Sequence, residues 1–115
     1  MTLRTIHICP IDGRISPADY ELTSAWWKAR GADPPPRNLL PPLGVIASHN
    51  DAPIAAAFAY LDATGSGIAW LSWMITDPAG LPLPAGRAMR HCITFLEAEA
   101  ARLKYWIMIA TVNKP

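Results

Sequence analysis

The chain has 115 residues, which fits one domain spanning 1–115 and leaves little room for two. Hydrophobic residues make up 51%, enough for a core, so a disordered chain is excluded. The formal net charge is +1 and the ten Lys and Arg residues are scattered, so no basic face for nucleic acid or an anionic membrane is indicated.

Leu3 to Ile8 alternates apolar and polar residues and reads as a first strand. Asp12-Gly13 then marks a turn. Ser16 signals a helix start, with Pro17 at the first helical position and Asp19 placed to reach back to the cap amide. Leu22, Ala25, Trp26 and Ala29 recur at helical spacing and Gly31 closes the segment, which predicts an amphipathic helix over 17–30. Trp26 and Trp27 point about 100° apart on it, so one of them is expected at the surface.

Residues 32–42 hold five of the twelve prolines, which remove backbone donors and restrict their neighbours. Two readings apply: a stiff connector packed on the domain surface, or a polyproline ligand for an aromatic groove. The connector accounts for the composition with fewer assumptions.

Three strand-length runs follow: Leu43–Ser48, Pro53–Leu61 and Ile68–Thr76. They are joined by the turns His49-Asn50-Asp51 and Asp62–Gly67, the pattern of an antiparallel meander. In the third, Ile68, Trp70, Ser72 and Met74 alternate with Ala69, Leu71, Trp73 and Ile75; both faces are largely apolar, so a central, doubly covered strand is expected. After a Pro- and Gly-containing loop, Met89, Cys92, Ile93, Leu96, Ala100 and Leu103 form an apolar stripe on a long helix, about 85–104. Tyr105–Val112 then reads as a buried strand, with Trp73 and Trp106 in the core. The order strand, helix, meander, long helix, strand predicts a mixed α/β domain.

The segment with plausible chemistry is Leu83-Pro84-Ala85-Gly86-Arg87-Ala88, where a glycine-containing loop enters the long helix. Helix mouths attract anions, and Arg87 and Arg90 would suit a phosphate there. An ordinary loop with solvated arginines is the competing reading. In context, a central strand, a loop of pattern Gln/Arg-x-x-Gly-x-Gly/Ala and a long amphipathic helix resembles the acetyl-CoA site of the GNAT N-acetyltransferase superfamily. Gly86 and Ala88 match that pattern, while Leu83 stands where Gln or Arg is usual.

The resemblance implies a GNAT-like mixed sheet and acetyl transfer from acetyl-CoA to a primary amine. It implies that the amides of Gly86, Arg87 and Ala88 hold the pyrophosphate. Backbone groups of Met74, Ile75 and Thr76 would meet the pantetheine arm, and Asn113 would lie near that arm. The family fold continues with a helix and a strand, which this sequence, ending at Pro115, is expected to lack. That helix commonly carries the general acid, and no base stands on the Ile68–Thr76 strand. Glu21 and His91 are the nearest candidates, though each reads first as an ordinary residue of its helix, Glu21 solvated and His91 at the surface or half-buried. A non-catalytic relative acting in CoA binding or protein interaction is therefore the alternative function.

No apolar stretch reaches the ~20 residues of a membrane span, and no secretory signal is visible. Cys9 and Cys92, 83 positions apart and not at metal-ligand spacing, read as reduced, mostly buried thiols in preference to a disulfide, and hence a cytoplasmic protein. Self-association is also expected, through the last strand, because an exposed apolar edge invites pairing, or through the exposed flank of the long helix.

Overall fold

A computed structural model describes residues 1–110. It contains β1 (Thr2–Thr5), α1 (Pro17–Ala29), β2 (Leu43–His49), β3 (Ala52–Leu61), β4 (Ile68–Thr76), α2 (Pro82–Arg102) and β5 (Ile107–Ala110). The strands form one five-stranded sheet in the order β1-β2-β3-β4-β5. The first three pairings are antiparallel; β5 runs parallel to β4 after the crossover through α2. The fold is the expected mixed α/β one, a five-stranded sheet with a helix on each face.

Sequence chemistry explains the joints. Asn50 and Asp51 both take positive φ, 50° and 64°, as a two-residue hairpin turn with the twist of its strands requires. The β3–β4 turn is tied by Asp62, which accepts from the Thr64 amide at 3.1 Å and from the Thr64 and Ser66 hydroxyls. Two cores lie on opposite faces of the sheet, because alternate residues of a strand point to opposite sides. Under α2, Val45, Ala47, Ala55, Ala57 and Leu71 pack with Ala88, Cys92 and Leu96. Small alanines on β3 let the helix approach closely. Under α1, Trp26 and Trp27 pack on Ile46, Phe58 and Ile75. Gly44 is required there, since a Cβ would lie 2.7 Å from the Phe58 ring.

Several expectations need correction. β1 stops at Thr5 instead of reaching Ile8, because the His7 amide is taken by the Asp19 carboxylate at 2.9 Å. Asp19 therefore does not reach back to the cap; Ser16 caps alone, accepting from the Asp19 amide. The buried side of α1 carries Asp19, Thr23, Ser24, Trp26 and Trp27, while Ala25 and Ala29 face solvent. Both tryptophans of the pair are buried, at 6% and 7% exposure, because the sheet meets the helix along the line between them. Trp106, expected inside, is 79% exposed. Of the expected buried strand the described part, Ile107–Ala110, is largely exposed, while residues 111–112 lie outside the described ones. Leu103 lies past the end of α2 and is 38% exposed.

The proline segment is stapled down. Tyr20 Oη donates to Pro35 O (2.8 Å), Tyr60 Oη to Leu39 O (2.5 Å) and Arg37 Nε to Ile15 O (2.7 Å), while Leu40 is buried. It is the connector, not a displayed ligand. Among the described residues, no helix is long and apolar enough to cross a membrane.

Candidate functional site

The mouth of α2 begins three residues earlier than its periodicity suggests. Pro82 and Pro84 have φ preset for a first helical turn, so the helix starts at Pro82 behind Leu81. Leu83–Ala88 is thus not a loop but the first two turns. Ala85 N–H donates to Leu81 O at 3.1 Å, and from there each amide meets the carbonyl four residues back. The amides of Gly86, Arg87 and Ala88 are consequently spent inside the helix. Of the first four helical residues, two are prolines without an N–H. A backbone cradle for an anion is poorly supplied at this mouth. Ala88, fully buried, packs against the sheet.

What the mouth does present is side chains. Pro82, Leu83, Gly86, Arg87 and Arg90 line a cleft of about 370 Å³. Arg87 and Arg90 are exposed and one turn apart. Among the described residues neither belongs to an ion pair; the three pairs found are Arg4–Asp19, Arg37–Asp12 and Arg102–Glu99. Gly86 is in helical conformation, and a Cβ built on it meets nothing within 4 Å. A helical glycine costs about 1 kcal/mol against alanine, so the fold gains nothing from it. Its effect is to leave the cleft bare beside two cations.

Five residues, 77–81, connect this mouth to the end of β4, whose backbone is irregular. The β3–β4 register slips between Ala56 and Phe58, so two residues of β4 oppose Ala57. Leu71 and Met74 consequently both face α2, whereas Trp73 and Ile75 face α1. This bulge breaks the strict alternation expected along β4. Trp73 sits at φ 55°, a conformation rare for a bulky residue. Its indole donates to Tyr60 Oη at 2.8 Å and stands edge-on to Trp27, with centroids 6.3 Å apart, which holds the bulge in place.

Among the described residues β5 pairs with Ile68–Leu71, and the same register would set Ser72–Thr76 beside residues 111–115, which lie outside the described ones. Asp77 N–H donates to Ile54 O, which sets the ladder phase and turns the N–H and C=O of Thr76 away from β3. The Thr76 carbonyl accepts from Arg30 Nε (3.3 Å) and Nη2 (3.2 Å), and its hydroxyl accepts from Nη2 at 2.7 Å. Of the three expected β4 contacts, Met74 packs under α2, Ile75 is core and Thr76 is engaged by Arg30. Sequence reading missed Arg30 because a cation ending a helix is ordinarily explained by the helix dipole.

Glu21 and His91 are exposed on the surfaces of α1 and α2. β4 itself carries no Asp, Glu or His. Burial pushes the Cys92 thiol up to about 11, so it is not a nucleophile near neutral pH. Asn113 lies outside the described residues. Among those residues no group of His, Cys, Asp and Glu could hold a metal ion.

No family model matches the sequence, and no curated protein matches it. A crystal structure of an acetyltransferase from Trypanosoma brucei is similar in fold, with a TM-score of 0.60 at 10% identity. The match covers 98% of this chain and 83% of that one. At that identity the likeness is one of fold.

Proposed function

We propose that this chain is an acyltransferase-type domain that takes acetyl-CoA at the α2 mouth and presents its thioester to a primary amine near the C-terminal end of β4. The observation that carries the reading is the cleft around Gly86, whose bare floor the fold does not need and whose rim holds two unpaired arginines. Arg87 and Arg90 would hold the pyrophosphate as paired cations. This differs from the amide-based site implied by resemblance, because the amides of Gly86, Arg87 and Ala88 are engaged within the helix. Pro82 and Leu83 offer apolar contact beside them, and the outward backbone groups of Met74 would meet an extended arm, those of Ile75 being turned toward β3. The fold likeness to an acetyltransferase points the same way.

Bound acetyl-CoA would supply the activated acyl group. The protein's part is to hold the anion on Arg87 and Arg90, while Arg30 keeps the Thr76 carbonyl engaged. Catalysis by positioning alone can be substantial, since it removes the entropy of bringing the reactants together.

A second reading, binding of CoA without transfer, is favoured by one observation. Neither Glu21 nor His91 stands on β4, which carries no Asp, Glu or His of its own. Titration calorimetry with acetyl-CoA, run beside an assay of free thiol release with a panel of primary amines, separates the two. Binding with amine-dependent thiol release supports transfer; binding without it supports the second reading; no binding at millimolar acetyl-CoA removes both.

A further inference from the structure

The outer edge of β5 has a self-complementary geometry that the two sheet edges do not share. β1, at the other end of the sheet, carries Thr2, Arg4 and Thr5, polar residues of the kind that blunt an edge against pairing. β5 reads Ile-Met-Ile-Ala, with no charge, no proline and no bulge. Its phase is set by Ile107, whose N–H donates inward to Gly67 O at 3.1 Å. Alternate residues of a strand direct their N–H and C=O to opposite sides, so those of Met108 and Ala110 point outward.

Side chains repeat the pattern. Met108 packs toward α2, and Ile107 and Ile109 lie on the opposite face, 51% and 36% exposed. Ile109 stands in register with Trp70, itself 38% exposed, and α1 does not cover this corner. Trp70, Ile107 and Ile109 together expose roughly 250 Å² of apolar surface, given ~250 Å² for a whole tryptophan. That is about a third of the ~800 Å² per partner of a standard interface, before any strand backbone is counted, which suits a weak, reversible dimer.

We propose that this edge pairs with the β5 edge of a second copy of the chain, antiparallel about a two-fold axis at Ile109. A partner strand must offer outward groups two residues apart, flanking a branched apolar residue. A second β5 offers that arrangement in the right phase. Met108 of each copy then opposes Ala110 of the other and exchanges N–H to O=C bonds with it. Ile109 meets its own counterpart as a non-hydrogen-bonded pair, where side chains approach most closely. The row Trp70, Ile109, Ile109, Trp70 becomes continuous across a ten-stranded sheet formed from two five-stranded ones. A patch of this size fits a dimer with a dissociation constant on the order of micromolar.

Sedimentation velocity from about 1 to about 500 µM tests the proposal. The wild type is expected to shift from monomer to dimer across that range. Ile109→Lys, a change at a partly exposed position, is expected to remain monomeric with an unchanged circular dichroism spectrum. Ala110→Pro, which removes an outward N–H and no bond to β4, is expected to weaken the dimer at least tenfold. In a Cys9→Ser background, Ile109→Cys is expected to form an intermolecular disulfide, since the opposed Cα atoms would lie about 4.5 Å apart. Ile107→Cys, displaced from the axis, is expected not to. A wild type that stays monomeric at about 500 µM overturns the proposal. So does a dimer that Ile109→Lys leaves intact.

Discussion

The carboxylate of Asp19 is clasped by Arg4, with Nη2 at 2.7 Å from Oδ1 and Nη1 at 3.1 Å from Oδ2. Asp19 Oδ2 also accepts the His7 amide at 2.9 Å, so one buried side chain on α1 fixes both the end of β1 and the strand's cation. Burial by itself would raise the Asp19 pKa. The hydrogen bonds from Arg4 and His7 and the charge of Arg4 outweigh it and hold the group below its ordinary value. A folded pKa below the unfolded one means stability that is present above the unfolded pKa and lost as pH falls through the folded one. Asp19→Ala is expected to destabilise the fold by about 3 kcal/mol near pH 7, leaving a buried amide and half of an ion pair unmatched. That deficit should shrink from about pH 5 downward, as the wild type loses the same contribution. Urea melts of both proteins at pH 7 and pH 3.5 check this; a gap that stays constant would show that the ionised carboxylate is not responsible.

At the other end of the sheet, Gly67 is locked by Trp106. It has φ 76°, its carbonyl accepts the amides of Trp106 and Ile107, and a Cβ would run into the indole. Gly67→Ala is expected to cost about 2 kcal/mol, from left-handed strain and the displaced ring together. Trp106→Ala should relieve the steric part, so the double substitution is expected to cost less than the sum of the singles. Strict additivity in thermal melts would mean that the indole does not lie over Gly67.

The two thiols should separate cleanly in reactivity. Cys92 is fully buried under the sheet and its pKa is pushed up to about 11 by burial, whereas Cys9 is half-buried in the loop after β1. At pH 8 a thiol reagent is expected to modify Cys9 readily and Cys92 only at the rate of unfolding. Mass spectrometry of the labelled protein distinguishes them. Fast labelling of Cys92 in the native state would contradict the packing of α2.

Much of this architecture was legible in the residues. The meander's boundaries fall within a residue or two of Leu43, Leu61 and Thr76, because glycine, asparagine and aspartate turns punctuate the runs. α2 was plain from its stripe, yet its start was not. Pro82 and Pro84 look like loop residues until their place in a first turn is seen, and that shift changes which groups can hold an anion. The bulge at Trp73 leaves no local signal, since tryptophan is a poor candidate for positive φ; only tertiary bonds to Tyr60 and Trp27 hold it. The exposure of Trp106 was equally hidden, because an apolar run looks the same whether or not another element covers it.

Gly86 separates fold from function, which makes it the most direct handle on the proposed site. With nothing within 4 Å of a Cβ there, Gly86→Ala is expected to stabilise the free protein by about 0.5–1 kcal/mol through helix propensity alone. Gly86→Glu should also fold, since its side chain projects into the open cleft, but it places a carboxylate one turn from Arg90, where it neutralises that cation and repels a phosphate. The decisive measurement is a thermal-shift titration with acetyl-CoA on four proteins: wild type, Gly86→Ala, Gly86→Glu and Arg87→Ala/Arg90→Ala. The wild type is expected to gain about 2.7 kcal/mol at a hundredfold excess over the dissociation constant. Gly86→Ala should gain less, and Gly86→Glu and the double arginine variant should lose the shift while folding normally. An unchanged shift in both of the last two proteins, or none in the wild type at millimolar ligand, would contradict the assignment of acetyl-CoA to the mouth of α2.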